Sequence, residues 1–241
     1  MNNVLEVNNL YAGYYNKKKL FGGGEYKEVL KNITFDIKEN EIMGLVGQSG
    51  CGKSTLSKAI LGMIPYKSGS IKHATVRPQM IFQDPYSSLN PAKKIGWILE
   101  EPLKVLGTYT KSERKDIAIS MLEKVGLSGE YYDRYPKELS GGQRQRISIG
   151  QALMQKPKFI IADEPVSALD VTIQAQIMDL LLDLKEEMKL SYLFISHDID
   201  VIYQMCDRVM VINDGEIVEM GNVEDVLNNP THAYTKMLTS L

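Results

Sequence analysis

The sequence predicts an α/β fold, in which a mostly parallel sheet is covered by helices and carries a helical insertion. Short, wholly apolar runs recur along the chain, longer helical patterns separate them, and one central region has helical patterns alone. A run that is apolar at every position is typical of a strand buried on both faces, as in a parallel sheet between helices. The predicted strands are residues 42–46, 79–82, 159–162, 192–195 and 209–212.

The purely helical region lies between Asp84 and Gln155. Thr110 and Glu113 have the spacing of a capping box, and Gly126 stands where a helix would end in a left-handed cap. Amphipathic patterns fill this interval, and no apolar run interrupts them. We therefore expect an all-helical lobe inserted into the α/β core.

A further long helix is predicted over residues 171–189, because apolar side chains recur there at helical spacing. We interpret its apolar stripe as ordinary core. Residues 1–241 are expected to form a single domain. Its α/β core would comprise residues 1–84 and 156–241, and its helical subdomain residues 85–155.

Composition excludes several classes of protein. With 241 residues, 44% of them hydrophobic and 24% charged, the chain can bury a sizeable core. Its 28 basic and 30 acidic residues leave no positive excess for coating nucleic acid. The two cysteines, Cys51 and Cys206, form no CxxC pair, so neither a disulfide framework nor a structural zinc site is predicted.

The sequence also lacks the patterns that direct a chain into or across a membrane. No apolar run approaches the ~20 residues of a membrane-spanning helix. The first residues show no charged segment followed by an apolar one, so we expect no signal peptide and a cytoplasmic location. Residues 17–24 hold three lysines and three glycines, which favour a flexible solvated loop; contact with anionic lipid is the alternative.

A glycine-rich segment at residues 47–54 matches G-x-x-x-x-G-K-[ST] between a predicted strand and a predicted helix over residues 53–63. In this arrangement backbone N–H groups converge on phosphate oxygens, and the helix start adds a favourable dipole. Lys53 would supply charge to the β- and γ-phosphates, and the Ser54 hydroxyl would ligate Mg²⁺. Cys51 is interpreted as a small space-filling residue. The predicted nucleotide contacts are Gly47, Gln48, Ser49, Gly50, Cys51, Gly52, Lys53, Ser54 and Thr55.

Two further predicted strands end in side chains that suit phosphate chemistry. The run at 159–162 leads into Asp163 and Glu164, at the sheet edge where open α/β sheets bind ligands. We expect Asp163 to hold the Mg²⁺ shell and Glu164 to orient or deprotonate the attacking water. His197 follows the run at 192–195, so it would reach the γ-phosphate from the same edge; a structural or merely exposed histidine is the alternative.

A second anion site is predicted in the helical region. Ser140 and Gln143 have capping-box spacing, and a helix that starts with a serine and two glycines binds phosphate well. Because residues 47–55 already enclose the phosphates of one nucleotide, this site would close on a nucleotide held by another copy of the fold. We therefore predict a dimer with two ATP molecules at its interface. The predicted contacts are Ser140, Gly141, Gly142 and Gln143.

In this order and spacing, the motifs at residues 47–54, 139–143 and 163–164, with His197, resemble those of the nucleotide-binding domain of an ABC transporter. The resemblance covers essentially the whole chain. It implies a P-loop NTPase core with an antiparallel N-terminal β portion and an inserted helical signature subdomain. ATP and Mg²⁺ would be the cofactors.

The same resemblance implies roles for residues outside these motifs. Gln83 matches the residue that senses Mg²⁺ and touches the transmembrane partner, and residues 167–170 match the D-loop. Tyr14 matches the aromatic residue that stacks on adenine, with Tyr11 and Tyr15 as alternatives.

Residues 81–91 and 229–235 narrow the resemblance to the oligopeptide, dipeptide and nickel importer ATPases. These ATPases imply a peripheral protein on the cytoplasmic face of the cell membrane, working with permease subunits and indirectly with an extracellular substrate-binding protein. The loop at residues 16–28 resembles that of the shorter of two paired ATPases. Peptide, nickel and a metal–chelator complex all stay open as substrates, as do a homodimer and a pairing with a paralogue.

Two other functions remain to be weighed. A DNA-repair or chromosome-organising ATPase would need a long coiled coil between Lys53 and Ser140, but no sustained heptads occur there, and the near-neutral charge disfavours nucleic acid. A partner that binds nucleotide without hydrolysing it is disfavoured by the presence of Glu164 and His197.

Overall fold

The computed structural model describes residues 2–16, 25–74 and 78–240. These residues form two compact units, one comprising Met1–Pro78 with Ser191–Leu241 and the other Gln79–Leu190. The second unit thus contains residues 79–84 and 156–190, which the sequence analysis assigned to the α/β core. Residues 17–24, for which a solvated loop was predicted, lie outside the described part of the chain.

The first unit contains an antiparallel sheet with the strand order β2-β1-β4. Its strands are β1 (Asn3–Asn16), β2 (Glu25–Lys38) and β4 (Tyr66–His73). Val7, Leu10 and Ile33 are completely buried in it. The antiparallel N-terminal β portion is therefore confirmed.

A second group of strands in this unit has the order β7-β3-β8-β9. Its members are β3 (Ile42–Val46), β7 (Ser191–Ile195), β8 (Arg208–Asn213) and β9 (Glu216–Asn222). The strands β7, β3 and β8 are parallel, and β9 pairs antiparallel with β8. Asp214 and Gly215 join β8 to β9, with φ values of 47° and 82°. Positive φ at both residues is typical of a two-residue hairpin turn. The three parallel strands confirm the predictions made from apolar runs.

Helices follow or precede these strands within the same unit. They are α1 (Lys53–Ile60), α7 (Ile199–Met205), α8 (Val223–Asn228) and α9 (Ala233–Thr239). The helix predicted over residues 53–63 ends at Ile60, and Gly62 beyond it has a φ of 69°.

The second unit is helical except for one parallel strand pair, β5 (Gln79–Ile81) and β6 (Phe159–Asp163). Its helices are α2 (Pro85–Ser88), α3 (Ile95–Leu106), α4 (Lys111–Lys124), α5 (Gly141–Leu153) and α6 (Val171–Met188). Among the described residues, no strand lies between β5 and β6, so the predicted helical region is confirmed.

The predicted helix ends can be compared with the caps in the structure. Thr110 and Glu113 form the predicted capping box at the start of α4, and Gly126 has a φ of 75° just past its end. The helix predicted over residues 171–189 ends one residue earlier, because Lys189 adopts a left-handed φ of 53°. No helix among the residues described is both long and apolar enough to cross a membrane.

Candidate active site

The phosphate loop joins β3 to α1 within the first unit. Gly52 occupies the N-cap position of α1 with a φ of 120°, and Gly50 has a φ of 84°. A Cβ atom at Gly52 would lie 2.9 Å from the Leu30 side chain, so a larger residue would have to displace that leucine. The sequence therefore folds tightly into the start of α1 because glycine tolerates these backbone angles.

The ammonium group of Lys53 folds back over this loop. It donates hydrogen bonds to the Gly47 carbonyl at 2.5 Å and to the Gln48 carbonyl at 3.0 Å. The Cys51 sulfur lies 3.9 Å from the same nitrogen, and Cys51 is buried. The loop thus presents a cation at its mouth, which is the donor chemistry that a polyphosphate needs.

Two hydroxyl groups in the first turn of α1 have different surroundings. Ser54 is exposed, so its hydroxyl is accessible to a metal ion or an anion. Thr55 is buried, and its Oγ1 atom lies 3.4 Å from the hydroxyl of Tyr14. The Tyr14 hydroxyl therefore lies against the first turn of α1, directly after the phosphate loop.

The three candidate adenine-stacking tyrosines also differ in their surroundings. Tyr15 packs against Tyr26, with ring centroids 5.1 Å apart. Tyr14 is 39% exposed and contacts the first turn of α1 through Thr55, whereas Tyr11 is only part-exposed. This geometry favours Tyr14 as the stacking residue.

His197 lies just beyond the carboxyl end of β7 and is exposed. Strands β7 and β3 are parallel, with Ile195 paired to Leu45. His197 and Gly47 therefore leave the sheet at the same edge. Asp198 follows immediately and caps α7 by accepting hydrogen bonds from two backbone N–H groups.

Gln83 and Glu164 meet in the second unit. The Nε2 group of Gln83 donates a hydrogen bond to Oε2 of Glu164 at 3.0 Å. Both residues follow the carboxyl ends of paired parallel strands, in which Ile81 is paired with Ala162. Glu164 has a φ of 46°, a left-handed conformation that is uncommon outside glycine and occurs often at functional sites. Asp163, the last residue of β6, is half-buried.

The signature segment forms the start of α5. The Ser140 hydroxyl accepts a hydrogen bond from the Gln143 N–H at 3.3 Å, and the Gln143 side chain accepts one from the Ser140 N–H at 3.0 Å. Gln143 also donates to the Tyr131 hydroxyl at 2.9 Å. A cavity of about 490 Å³ opens beside Ser140, Gly142 and Gln143. This helix start therefore has an open, polar approach suited to an anion.

The glycine at position 142 leaves room for the Ile173 side chain where α5 meets α6. A Cβ atom there would lie 2.6 Å from Cγ2 of Ile173, whereas one at Gly141 would lie 3.6 Å from the Leu169 side chain. The first contact would force the Ile173 side chain to move, and the second is ordinary van der Waals contact.

Sequence reasoning missed one cation–π contact. The guanidinium carbon of Arg144 lies 3.5 Å from the centroid of the Tyr86 ring, and Arg144 is only 6% exposed. Tyr86 lies in the segment whose resemblance was noted at residues 81–91, and Arg144 follows the signature directly. Their proximity could not be read from the sequence, because it depends on how α2 and α5 pack.

The residues expected to hold Mg²⁺ are Ser54, Gln83 and Asp163. Hydroxyl, amide and carboxylate oxygens are ligands suited to this hard cation, which usually keeps several waters and bridges to substrate phosphates. Across the described ranges, no group of three or more His, Cys, Asp or Glu side chains forms a ready-made metal cluster.

Comparison with known proteins agrees with these features. The sequence pattern of the ABC transporter family matches residues 30–167. The dipeptide transport ATP-binding protein DppF of Escherichia coli K12 is 44% identical over 253 residues, covering 98% of this chain and 75% of that protein. The di/tripeptide transport ATP-binding protein DppF of Pseudomonas aeruginosa is 40% identical over 255 residues, covering 100% and 79%.

Solved structures show the same similarity. The structure of cbiO1 from Clostridium perfringens, part of the ABC transporter complex cbiONQ, has a TM-score of 0.80 at 27% identity, covering 95% of this chain and 92% of that one. The dimeric ATP-binding cassette MJ0796, in a post-hydrolysis state with ADP and Pi, has a TM-score of 0.77 at 28% identity, covering 91% and 98%. The chain therefore belongs to the ABC transporter family and is an ATPase of that family.

Proposed function

We propose that this ATPase is the motor subunit of an importer of the peptide and nickel class, and that it works through separate permease subunits. The observation that carries the proposal is the phosphate loop, which presents the Lys53 ammonium beside the exposed Ser54 hydroxyl and the Tyr14 ring. The family relationship supports the coupling to transport.

In this proposal the loop binds the triphosphate through its backbone N–H groups and Lys53. Tyr14 stacks on the adenine. Ser54, Gln83 and Asp163 would hold a magnesium ion, which would supply positive charge to offset that of the phosphates. Most of the catalytic effect then comes from positioning and charge stabilisation.

Glu164 is the proposed general base. Its carboxylate takes a proton from a water molecule, whose oxygen bonds to the γ-phosphorus as the bond to the ADP oxygen breaks. The hydrogen bond from Gln83 orients that carboxylate. His197 contacts the γ-phosphate from the end of β7.

A complete site requires a second subunit, which is another copy of this chain or a paralogue. Ser140, Gly141, Gly142 and Gln143 of one subunit close on the triphosphate held by the other. The helical subdomain at residues 85–155 passes the closing motion to the permease, since domain closure around a ligand is a common way to transmit binding energy. The subunit would lie on the cytoplasmic face of the membrane.

The relatives favour a peptide as the transported substrate. DppF of Escherichia coli is a dipeptide transport protein, and its Pseudomonas aeruginosa counterpart is a di/tripeptide transport protein. An extracellular binding protein would present the peptide to the permease. Nickel or a metal–chelator complex is the alternative that the sequence resemblance leaves open.

Reconstitution in lipid vesicles tests this function. The chain is combined with its permease and its binding protein, and phosphate release is measured with a dipeptide, with Ni²⁺ or with neither. We expect the dipeptide-loaded binding protein to accelerate release, and Lys53→Ala to abolish it. If only Ni²⁺ accelerates phosphate release, the transported substrate is nickel. If neither ligand changes the rate of phosphate release, the proposed transport function is wrong.

A further inference from the structure

One carboxylate on β9 holds the start of the C-terminal segment at residues 229–240. Glu219 on β9 accepts hydrogen bonds from the Thr231 N–H at 2.8 Å, the Thr231 hydroxyl at 2.7 Å and the His232 N–H at 3.1 Å. His232 caps α9, and Thr235 on that helix is completely buried. The position of α9 is thus set by β9.

This segment reaches the phosphate loop through Tyr234. The Tyr234 hydroxyl accepts a hydrogen bond from the Gln48 N–H at 2.8 Å. The same peptide group carries the Gly47 carbonyl, which accepts from the Lys53 ammonium at 2.5 Å. A trans peptide group is planar, with its oxygen and its hydrogen on opposite edges. Tyr234 and Lys53 therefore hold the two edges of one peptide group.

We propose that Tyr234 is a positioning residue, which fixes the orientation of the Gly47–Gln48 peptide group and through it the Lys53 ammonium before nucleotide binds. The proposal rests on the proposed role of this loop in binding ATP. Gln48 is exposed, so without the Tyr234 hydroxyl its N–H group would turn to water and the peptide group would have several orientations. Ordering a loop in advance raises affinity, because the ordering cost is not incurred on binding.

The link is first tested without nucleotide, by amide hydrogen exchange at Gln48 measured by NMR. Tyr234→Phe keeps the ring and removes only the hydroxyl. We expect exchange at Gln48 to speed up by roughly two- to tenfold, the range of one modest hydrogen bond. Tyr203→Phe is the control, because Tyr203 is an exposed tyrosine on α7, and it should leave that rate unchanged. An unchanged rate in Tyr234→Phe would overturn the proposal.

The consequence for nucleotide is tested by the Kd for MgATP and by kcat. We expect Tyr234→Phe to raise Kd by about two- to tenfold while kcat at saturation stays the same, since the Tyr234 hydroxyl contacts the Gln48 N–H and not a residue assigned to the chemical step. A structural role alone would instead lower the fraction of active protein and kcat. An unchanged Kd or a falling kcat would therefore contradict a positioning role.

A double-variant cycle isolates the hydrogen bond itself. Gln48→Pro removes the N–H donor, since proline has none. If the link exists, adding Tyr234→Phe to Gln48→Pro should not raise Kd further. If the two substitutions instead raise Kd independently, so that their fold-changes multiply in the double variant, the proposal is overturned. If the parent protein binds no ATP at all, the proposed function is wrong. The exchange rate at Gln48 is measured without nucleotide, so it tests the Tyr234 hydrogen bond independently of that function.

Discussion

Glu164 combines a strained backbone with a carboxylate held by another side chain. Its φ of 46° is left-handed, and Gln83 donates to its Oε2 atom at 3.0 Å. The Ser167 hydroxyl also donates a hydrogen bond to the Glu164 carbonyl at 3.1 Å, which stabilises the turn after β6. Conformations of this kind persist only where the surroundings enforce them, and they concentrate at functional sites.

Substituting this carboxylate by an amide separates binding from chemistry. Glu164→Gln keeps the size of the side chain but removes the proton acceptor, so we expect MgATP binding to persist while phosphate release falls about 10²- to 10⁴-fold. Glu123→Gln, an exposed position on α4, is the control and should keep full activity. Hydrolysis at the parental rate in Glu164→Gln would show that another group acts as the base.

The contact between Tyr86 and Arg144 joins the segment after β5 to the signature helix. A buried guanidinium loses its hydration, and the ring face replaces part of it. We expect Tyr86→Ala to lower the free energy of unfolding by about 1 kcal/mol, whereas Tyr86→Phe keeps the ring and should be nearly neutral. Urea unfolding measures both, and equal losses in the two variants would rule out a ring contribution.

At the scale of elements, the sequence predicted the parallel strands best. Residues 42–46 form β3 with the same bounds, because burial on both faces leaves a run of apolar residues that composition reveals. The long strands β1 and β2 left no such run. Their pairing contains irregularities, including one between Val7 and Leu10, and these break the alternation that would mark an antiparallel strand.

The same contrast holds for the site. The phosphate loop and the Ser140 capping box could be predicted because their geometry is local. Gln83 and Glu164 are 81 positions apart in the sequence, and Gln48 and Tyr234 are 186 positions apart. Only the fold brings the members of each pair together.

The attachment of the C-terminal segment makes part of the stability depend on pH. Burial alone would raise the pKa of Glu219, but hydrogen bonds from Thr235, Thr231 and His232 outweigh it and lower the pKa from 4.5 to about 2. A carboxyl group with a depressed folded-state pKa stabilises the fold above its ordinary pKa, and this contribution is lost as the pH falls towards 2.

Urea unfolding at a series of pH values checks this. Between pH 4.5 and about 2, we expect the free energy of unfolding to fall more steeply in the parent than in Glu219→Gln, which has no proton to gain. Glu216→Gln, at an exposed position on the same strand, serves as the control and should follow the parent. If Glu219→Gln also follows the parent, this carboxylate does not hold the segment.

At the scale of the whole molecule, the proposed dimer would draw on two segments of each chain. The phosphate loop with Lys53 lies in one unit and the signature segment with Ser140 lies in the other. Each is a complete local structure with its own hydrogen bonds. Our account joins the loop of one subunit to the signature of the next, with ATP between them.

Light scattering with and without MgATP tests this joining most directly. Glu164→Gln should shift from one chain to two when MgATP is added, because nucleotide stays bound and unhydrolysed. Adding Ser140→Arg places a bulky cation at the start of α5, so this double variant should stay a single chain. A Glu164→Gln protein that pairs equally well with and without Ser140→Arg would contradict the account.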